Sequence, residues 1–154
     1  MIKTAIIGCG KVSDKHALQI ERIPNAKLVA VCDLEPLMTQ QIAERFDVEH
    51  QFTDARRMIE EARPDVVHIT TPPQTHYELG RMCLLAGCHV YIEKPFTVNA
   101  AEAEKLVALA TRKDLKLTVG HNAQFTPVME RMRELVNGGY LGGGAGAHGE
   151  HFLL

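Results

Sequence analysis

Apolar positions in this chain fall into short, β-rich runs that alternate with longer stretches of helical period. Thr4–Gly8 predicts a buried first strand, followed by a helix over about Val12–Arg22 that Ile23-Pro24-Asn25 breaks. Lys27–Cys32 predicts a second strand, and Pro36 stands at the start of a helix running to about Phe46. His50–Phe52 predicts a short third strand, with Thr53 as the cap of a helix over Asp54–Ala62. Val66–Thr70 follows as strand four, then a helix opened by Gln74 or Thr75 and closed by Gly87, then strand five at His89–Ile92. Asn99 and Glu102 have the spacing of a capping box before a helix with apolar Leu106, Val107, Leu109 and Ala110. Leu115–Val119 predicts strand six, and Thr126-Pro127 opens a last helix to about Val136. The Met82/Leu85 and Met129/Met132 spacings predict core-facing helix stripes.

Six strand–helix units with continuously apolar strands imply a mainly parallel sheet covered by helices on both faces. Right-handed crossovers make this a doubly wound α/β fold. The 154 residues fit one such domain, expected over residues 1–137. Beyond Asn137 the composition shifts: seven of the twelve glycines fall within Gly138–Gly149, so residues 138–154 are expected to be a glycine-rich tail.

Charge narrows the functional classes. Seventeen Lys+Arg against nineteen Asp+Glu give a net charge of −2, with no basic excess for a nucleic-acid backbone and no polybasic run for a membrane surface. The longest nearly apolar run, Met82–Ile92, is too short to span a bilayer. Cys9, Cys32, Cys83 and Cys88 form no C-x-x-C pair, and the expectation is a cytoplasmic chain with reduced thiols.

The chemistry is concentrated where strands end. Gly8-Cys9-Gly10-Lys11-Val12-Ser13 lies between strand one and helix one. A dinucleotide site wants glycines there, the first for a sharp turn and the second so that the backbone can approach a pyrophosphate seated on the helix N-terminus. Ser13, small enough for close helix–sheet packing, takes the third position of the motif. Asp33, twenty residues beyond Ser13 and at the end of strand two, is placed to accept hydrogen bonds from the adenosine ribose hydroxyls. It would repel a 2′-phosphate, and Leu34 supplies no cation to offset this, so NAD is favoured over NADP. An S-adenosylmethionine site has the same two elements, and the later segments separate the two readings.

Those segments are Thr70-Thr71-Pro72-Pro73-Gln74-Thr75-His76 after strand four, Glu93-Lys94-Pro95 after strand five and Val119-Gly120-His121-Asn122 after strand six. With them the sequence resembles the Gfo/Idh/MocA oxidoreductases over about residues 2–141. The resemblance implies an N-terminal Rossmann half that binds NAD(P), and a second half that holds a sugar, cyclitol or related hydroxy compound and commonly forms the dimer interface. It places Gly8, Gly10, Lys11 and Val12 at the cofactor phosphates, Thr71 and Pro72 against the cofactor, and Glu93 and Lys94 near the nicotinamide. Lys94 matches the lysine beside the nicotinamide ribose and the reacting oxygen, where an ammonium can stabilise an alkoxide and relay its proton. His76 matches the motif histidine, either as a helix-start hydrogen bond or as a cofactor neighbour, and Asn122 matches an asparagine of the family's N-x-R-F-x-P stretch. Pro73 stands where the family often has Asn, and Gln124 replaces its usual Arg. The family's second-domain Asp and His have no counterpart.

The expectation is therefore a cofactor half with weak or no turnover by itself, needing a second domain or another chain to bind a hydroxylated substrate. Its uncovered apolar surface is expected to favour homo-oligomers. His148 and His151, in H-G-E-H, lack a third ligand for a metal, and no metal is expected. His16, His50, His68 and His89 are expected to be packed or surface side chains.

Overall fold

The computed structural model describes residues 1–140. His148, His151 and most of the glycine-rich segment lie outside them. Two compact units are distinguished, Met1–Gly120 and His121–Leu154.

The first unit is built in the order β1 (Ile2–Ile7), α1 (Ser13–Glu21), β2 (Ala26–Cys32), α2 (Pro36–Phe46), β3 (His50–Phe52), α3 (Ala55–Ala62), β4 (Val66–Ile69), α4 (His76–Leu85), β5 (His89–Ile92), α5 (Ala100–Arg112) and β6 (Leu117–Val119). The strands form one six-stranded sheet of order β3-β2-β1-β4-β5-β6, and every neighbouring pair is parallel. This is the doubly wound Rossmann arrangement that the strand–helix alternation predicts. The order reverses between β1 and β4, so the carboxyl ends of these strands bound a crevice.

Alternate residues of β1 feed two apolar clusters. Ala5 and Ile7 join Met58, Ile59, Cys83, Leu84, Leu106 and Ala110 from α3, α4 and α5. Ile6 joins Ala17, Ile20, Ile42 and Ala43 from α1 and α2. Each fully buried Ile or Leu side chain contributes roughly 1.5–3 kcal/mol of transfer free energy.

Local chemistry sets the helix ends. Asp54, not Thr53, caps α3: its Oδ1 accepts the Arg57 N–H at 2.8 Å. Asn99 caps α5 as expected, its Oδ1 accepting from Glu102 N at 2.9 Å, but Glu102 Oε1 accepts from the Asn99 side-chain amide at 3.0 Å instead of from the backbone N–H of a full capping box. A short 3₁₀ turn, Pro73–Thr75, precedes α4, so the α-helix begins at His76. Gly87, with φ +91°, follows α4 in the left-handed conformation expected of it. Strand six is shorter than its apolar run. Asp114 ends α5 with φ +53°, and Leu115 N–H bonds back to Ala110 O at 3.0 Å, so Leu115 belongs to the helix exit.

Of the Met82/Leu85 pair, Met82 is half-buried against the core while Leu85 is exposed, and the buried residues of α4 are His76, Gly80, Cys83 and Leu84. Within the second unit, a 3₁₀ turn at Asn122–Phe125 leads to α6 (Pro127–Asn137), capped by Thr126 with Pro127 in its first turn. Its Met129 and Met132 are exposed. No described helix is long and apolar enough to cross a membrane.

Candidate functional site

The site is built on the turn between β1 and α1. Gly8 turns with φ +95°, and a Cβ there would lie 2.8 Å from Thr71 N and Cγ2 and 2.9 Å from the Thr70 carbonyl carbon. Only glycine fits between the β1 and β4 loops. Thr70 fastens the two, its hydroxyl donating to Gly8 O at 2.5 Å. Gly10 is open, with nothing within 4 Å of a built Cβ. Ser13 is fully buried, small enough for α1 to pack closely, and its hydroxyl donates to Gly10 O, closing the turn that enters the helix. No side chain caps α1, although the Ser13 and Lys15 N–H groups bond to Gly10 O and Val12 O at 3.0 and 3.1 Å; the positive end of the helix still faces the turn. Lys11 and Val12 lie just before α1, Val12 at its N-cap position, and both are exposed.

Asp33 closes the other side of the turn. Its Oδ2 accepts the Cys9 N–H at 2.7 Å and its Oδ1 accepts the Glu35 N–H at 3.0 Å. One carboxylate thus orders the glycine turn and the start of α2. Beside it lies a cavity of about 770 Å³ lined by Ile7, Gly8, Gly10, Cys32, Asp33, Leu34, Thr53, Ala55, Thr70, Thr71, Pro72, Gln74, Thr75, Glu78 and Leu79. That volume falls in the range of small-molecule and cofactor sites. Gly8, Gly10, Asp33, Thr71 and Pro72 are therefore brought to one wall-to-wall site. Thr53, Ala55, Glu78 and Leu79 lie outside the motifs: Thr53 is in the loop before α3, Ala55 begins α3, and Glu78 and Leu79 are in α4, and helix packing decides which of them reach the crevice.

Cys9 and Cys32 flank the same turn. Burial first, then the neighbouring Asp33 charge, push each thiol up to about 12, so both stay protonated at neutral pH and are poor nucleophiles.

Glu93 and Lys94 follow β5, away from the lining of that cavity. His76 is fully buried. Its Nδ1 lies 2.9 Å from Pro95 O and 3.2 Å from Phe96 O, and its Nε2 lies 2.8 Å from Thr71 O. The imidazole therefore ties the loop after β4 to the loop carrying Lys94 and presents no surface to a ligand. Asn122 belongs to the second unit, where it opens the 3₁₀ turn.

A polar cluster absent from the sequence reading lies under Glu93. β4 and β5 alternate rather than run continuously apolar: Val67, Ile69, Val90 and Ile92 are buried in the core, while His68 and Tyr91, paired in register, face the other side. Their rings stack at 5.1 Å, and His16 from α1 meets both edge-on at 5.2 and 5.0 Å. His16 Nδ1 lies 2.9 Å from His68 Nδ1 and its Nε2 lies 3.1 Å from Glu93 Oε1.

Burial first, and then the proximity of His16, push His68 down to about 4. Unfolded, a histidine titrates near 6.5 and takes up a proton that the folded site refuses. His68 therefore costs no stability above pH 6.5, and stability falls as pH drops from 6.5 to about 4. In pH-dependent thermal melts, His68→Asn should lose about 1–3 kcal/mol less than wild type across that window. Parallel curves would contradict the assignment.

Comparison with known proteins agrees with this geometry. Residues 2–121 match the model of the Gfo/Idh/MocA oxidoreductase family, NAD-binding Rossmann fold. D-glucoside 3-dehydrogenase of Escherichia coli (strain K12) is 34% identical over 142 residues, 92% of this chain and 40% of that protein. Myo-inositol 2-dehydrogenase of Thermotoga maritima is 28% identical over 141 residues, 92% of this chain and 42% of that one. The crystal structure of scyllo-inositol dehydrogenase from Lactobacillus casei, with bound NAD(H) and scyllo-inositol, is 29% identical. It aligns with a TM-score of 0.84 over 92% of this chain and 42% of that one. The chain spans about two fifths of the length of these relatives. With its glycine turn, strand-two aspartate and parallel sheet all in place, the chain belongs to the Gfo/Idh/MocA oxidoreductase family, whose NAD-binding Rossmann domain it carries.

Proposed function

We propose that this chain is the cofactor-binding part of an oxidoreductase that moves a hydride between NAD and a sugar, cyclitol or related hydroxy compound. The observation that carries the reading is the joining of Asp33 to the glycine turn, Cys9 N–H to Asp33 Oδ2 at 2.7 Å, on the wall of one cavity of about 770 Å³. The cofactor fits these residues: Gly8 leaves no room for a side chain, Gly10 is open, and the first turn of α1 has no side-chain cap. The pyrophosphate is held by the Gly10, Lys11 and Val12 backbone at the start of α1. Asp33 accepts from the ribose hydroxyls and discriminates against a 2′-phosphate. Thr71 and Pro72 bound the cofactor on the β4 side.

The bound nicotinamide would supply the hydride acceptor or donor. Lys94 is assigned to the ribose of that ring by the family's E-K-P motif, its ammonium stabilising a developing alkoxide and taking up or returning the hydroxyl proton. Glu93 orients the turn that carries Lys94. His76 acts at one remove, by tying the Thr71 and Pro95 carbonyls together. The names of the relatives, a glucoside 3-dehydrogenase and an inositol 2-dehydrogenase, support a polyhydroxylated substrate. Contacts that select such a substrate are assigned to a further domain or another chain, in keeping with the two-fifths coverage.

Titrating the 154-residue chain with NADH and following nicotinamide fluorescence tests the reading. Saturable binding in the micromolar to millimolar range is expected. No binding at millimolar NADH would refute it.

A further inference from the structure

We infer that His16 is a positioning residue of the cofactor site, fixing through Glu93 the backbone turn that carries Lys94. The inference rests on the reading of Lys94 as a residue of the nicotinamide end.

Glu93 is confined on several sides. Its side chain is 14% exposed and that of His16 is 10% exposed. Oε1 meets His16 Nε2 at 3.1 Å, and Oε2 accepts the Lys94 N–H at 3.2 Å. Below lies Gly120, where a Cβ would sit 2.8 Å from Glu93 Oε1 and 3.0 Å from Tyr91 Oη. The Glu93 carboxylate is thus the piece that joins α1 to the Lys94 amide, and the absence of a side chain at Gly120 makes the space for it.

Hydrogen-bond accounting gives His16 its direction. An ionised carboxylate only accepts, so His16 Nε2 must carry a proton toward Glu93. The Nδ1–Nδ1 contact with His68 needs one N–H and one lone pair. Two arrangements satisfy it. A neutral His16 accepts at Nδ1 from His68, or a doubly protonated His16 donates to both neighbours. In both, the Nε2 donor to Glu93 is retained. The stacked His68–Tyr91 pair and the two edge-on contacts fix the plane of the His16 ring, so the donor cannot swing away. On the other side of Lys94, buried His76 holds the Pro95 and Phe96 carbonyls. Lys94 is consequently held between two imidazoles, one in α1 and one in α4, and the α1 imidazole does so through a charged partner.

The test compares NADH with ADP, which keeps the adenosine and the pyrophosphate but lacks the nicotinamide and its ribose, in the wild-type chain and in His16→Leu and His16→Gln. His16→Leu is expected to weaken NADH about tenfold, the order of one charge-assisted hydrogen bond, and to change ADP less than about twofold. His16→Gln keeps an N–H near the Nε2 position and is expected to restore NADH to within about threefold of wild type. A loss shared equally by both ligands, or no loss, would overturn the inference. Two measurements need no cofactor. In the wild-type chain, ¹⁵N spectra should show His16 Nε2 protonated at neutral pH, and a bare Nε2 would overturn the inference without any variant. The Lys94 amide resonance should move in His16→Leu and return in His16→Gln, and an unmoved resonance would also overturn it. Failure of wild-type NADH binding with these two signatures intact would count against the cofactor reading alone.

Discussion

Replacing Gly8 with valine is expected to cost about 2–6 kcal/mol of stability and to abolish NADH binding. Two separate effects add. The backbone at Gly8 has φ +95°, which a β-branched residue adopts only with strain of roughly 1–3 kcal/mol. The new Cβ would also lie 2.8–2.9 Å from atoms of Thr70 and Thr71. Those are largely backbone atoms of the β4 loop, anchored by Thr70 N–H to Ile7 O at 2.9 Å and by the Thr70 hydroxyl to Gly8 O, so relief requires that loop to move. Overpacking of this kind adds roughly 1–3 kcal/mol. The displaced Thr71 and Pro72 line the same cavity, and binding fails together with stability. A thermal melt and an NADH titration on one sample check both; the melting temperature should fall by about 10–20 °C. Gly10→Ala is the control, since nothing stands within 4 Å of its built Cβ. It should melt close to wild type and lose cofactor affinity more than stability.

Asp33→Ala should weaken NADH by about 10–100-fold, the effect of losing hydrogen bonds to a charged acceptor. Two of the acceptor positions on this carboxylate are taken by Cys9 N–H and Glu35 N–H, and the others remain for ribose hydroxyls. Removing it therefore loses the ribose contacts and loosens the glycine turn. The effect on NADPH has a different sign. Wild type should bind NADPH poorly, because the 2′-phosphate meets the Asp33 charge while Leu34, 91% exposed, offers no cation. Without the carboxylate that repulsion disappears, and the two cofactors should bind within a few-fold of one another. Calorimetric titration of both cofactors against both proteins measures this. A variant that preserved the wild-type preference would place the discriminating contact elsewhere.

The legibility of the sequence varied with the range of the interaction responsible. Strand–helix alternation and the Gly8–Ser13 turn are local patterns, and the parallel sheet follows from them. Asp33 was legible because its distance from the turn is set by one helix and one strand. Asp54 rather than Thr53 caps α3, a one-residue difference that depends on which backbone reaches the extended conformation of an N-cap. His68 and Tyr91 sit inside otherwise apolar runs, although V-V-H-I and H-V-Y-I each place a polar ring on one face of the sheet. Their meaning needed the β4–β5 register and the approach of His16 from α1, which no short-range pattern contains. The sequence is compatible with two roles for His76. Its three carbonyl neighbours belong to residues five, nineteen and twenty positions away, and only the folded loops bring them together.

The most direct test of the central claim is amide chemical-shift mapping of the ¹⁵N-labelled chain during an NADH titration. Saturable shifts are expected at Gly8–Val12, at Asp33 and Leu34, at Thr70 and Thr71, and at Glu93 and Lys94, with the α3–α5 core unmoved. Shifts that saturate elsewhere on the sheet while Gly8–Val12 and Asp33 stay still would contradict it, as would a spectrum unchanged at millimolar NADH.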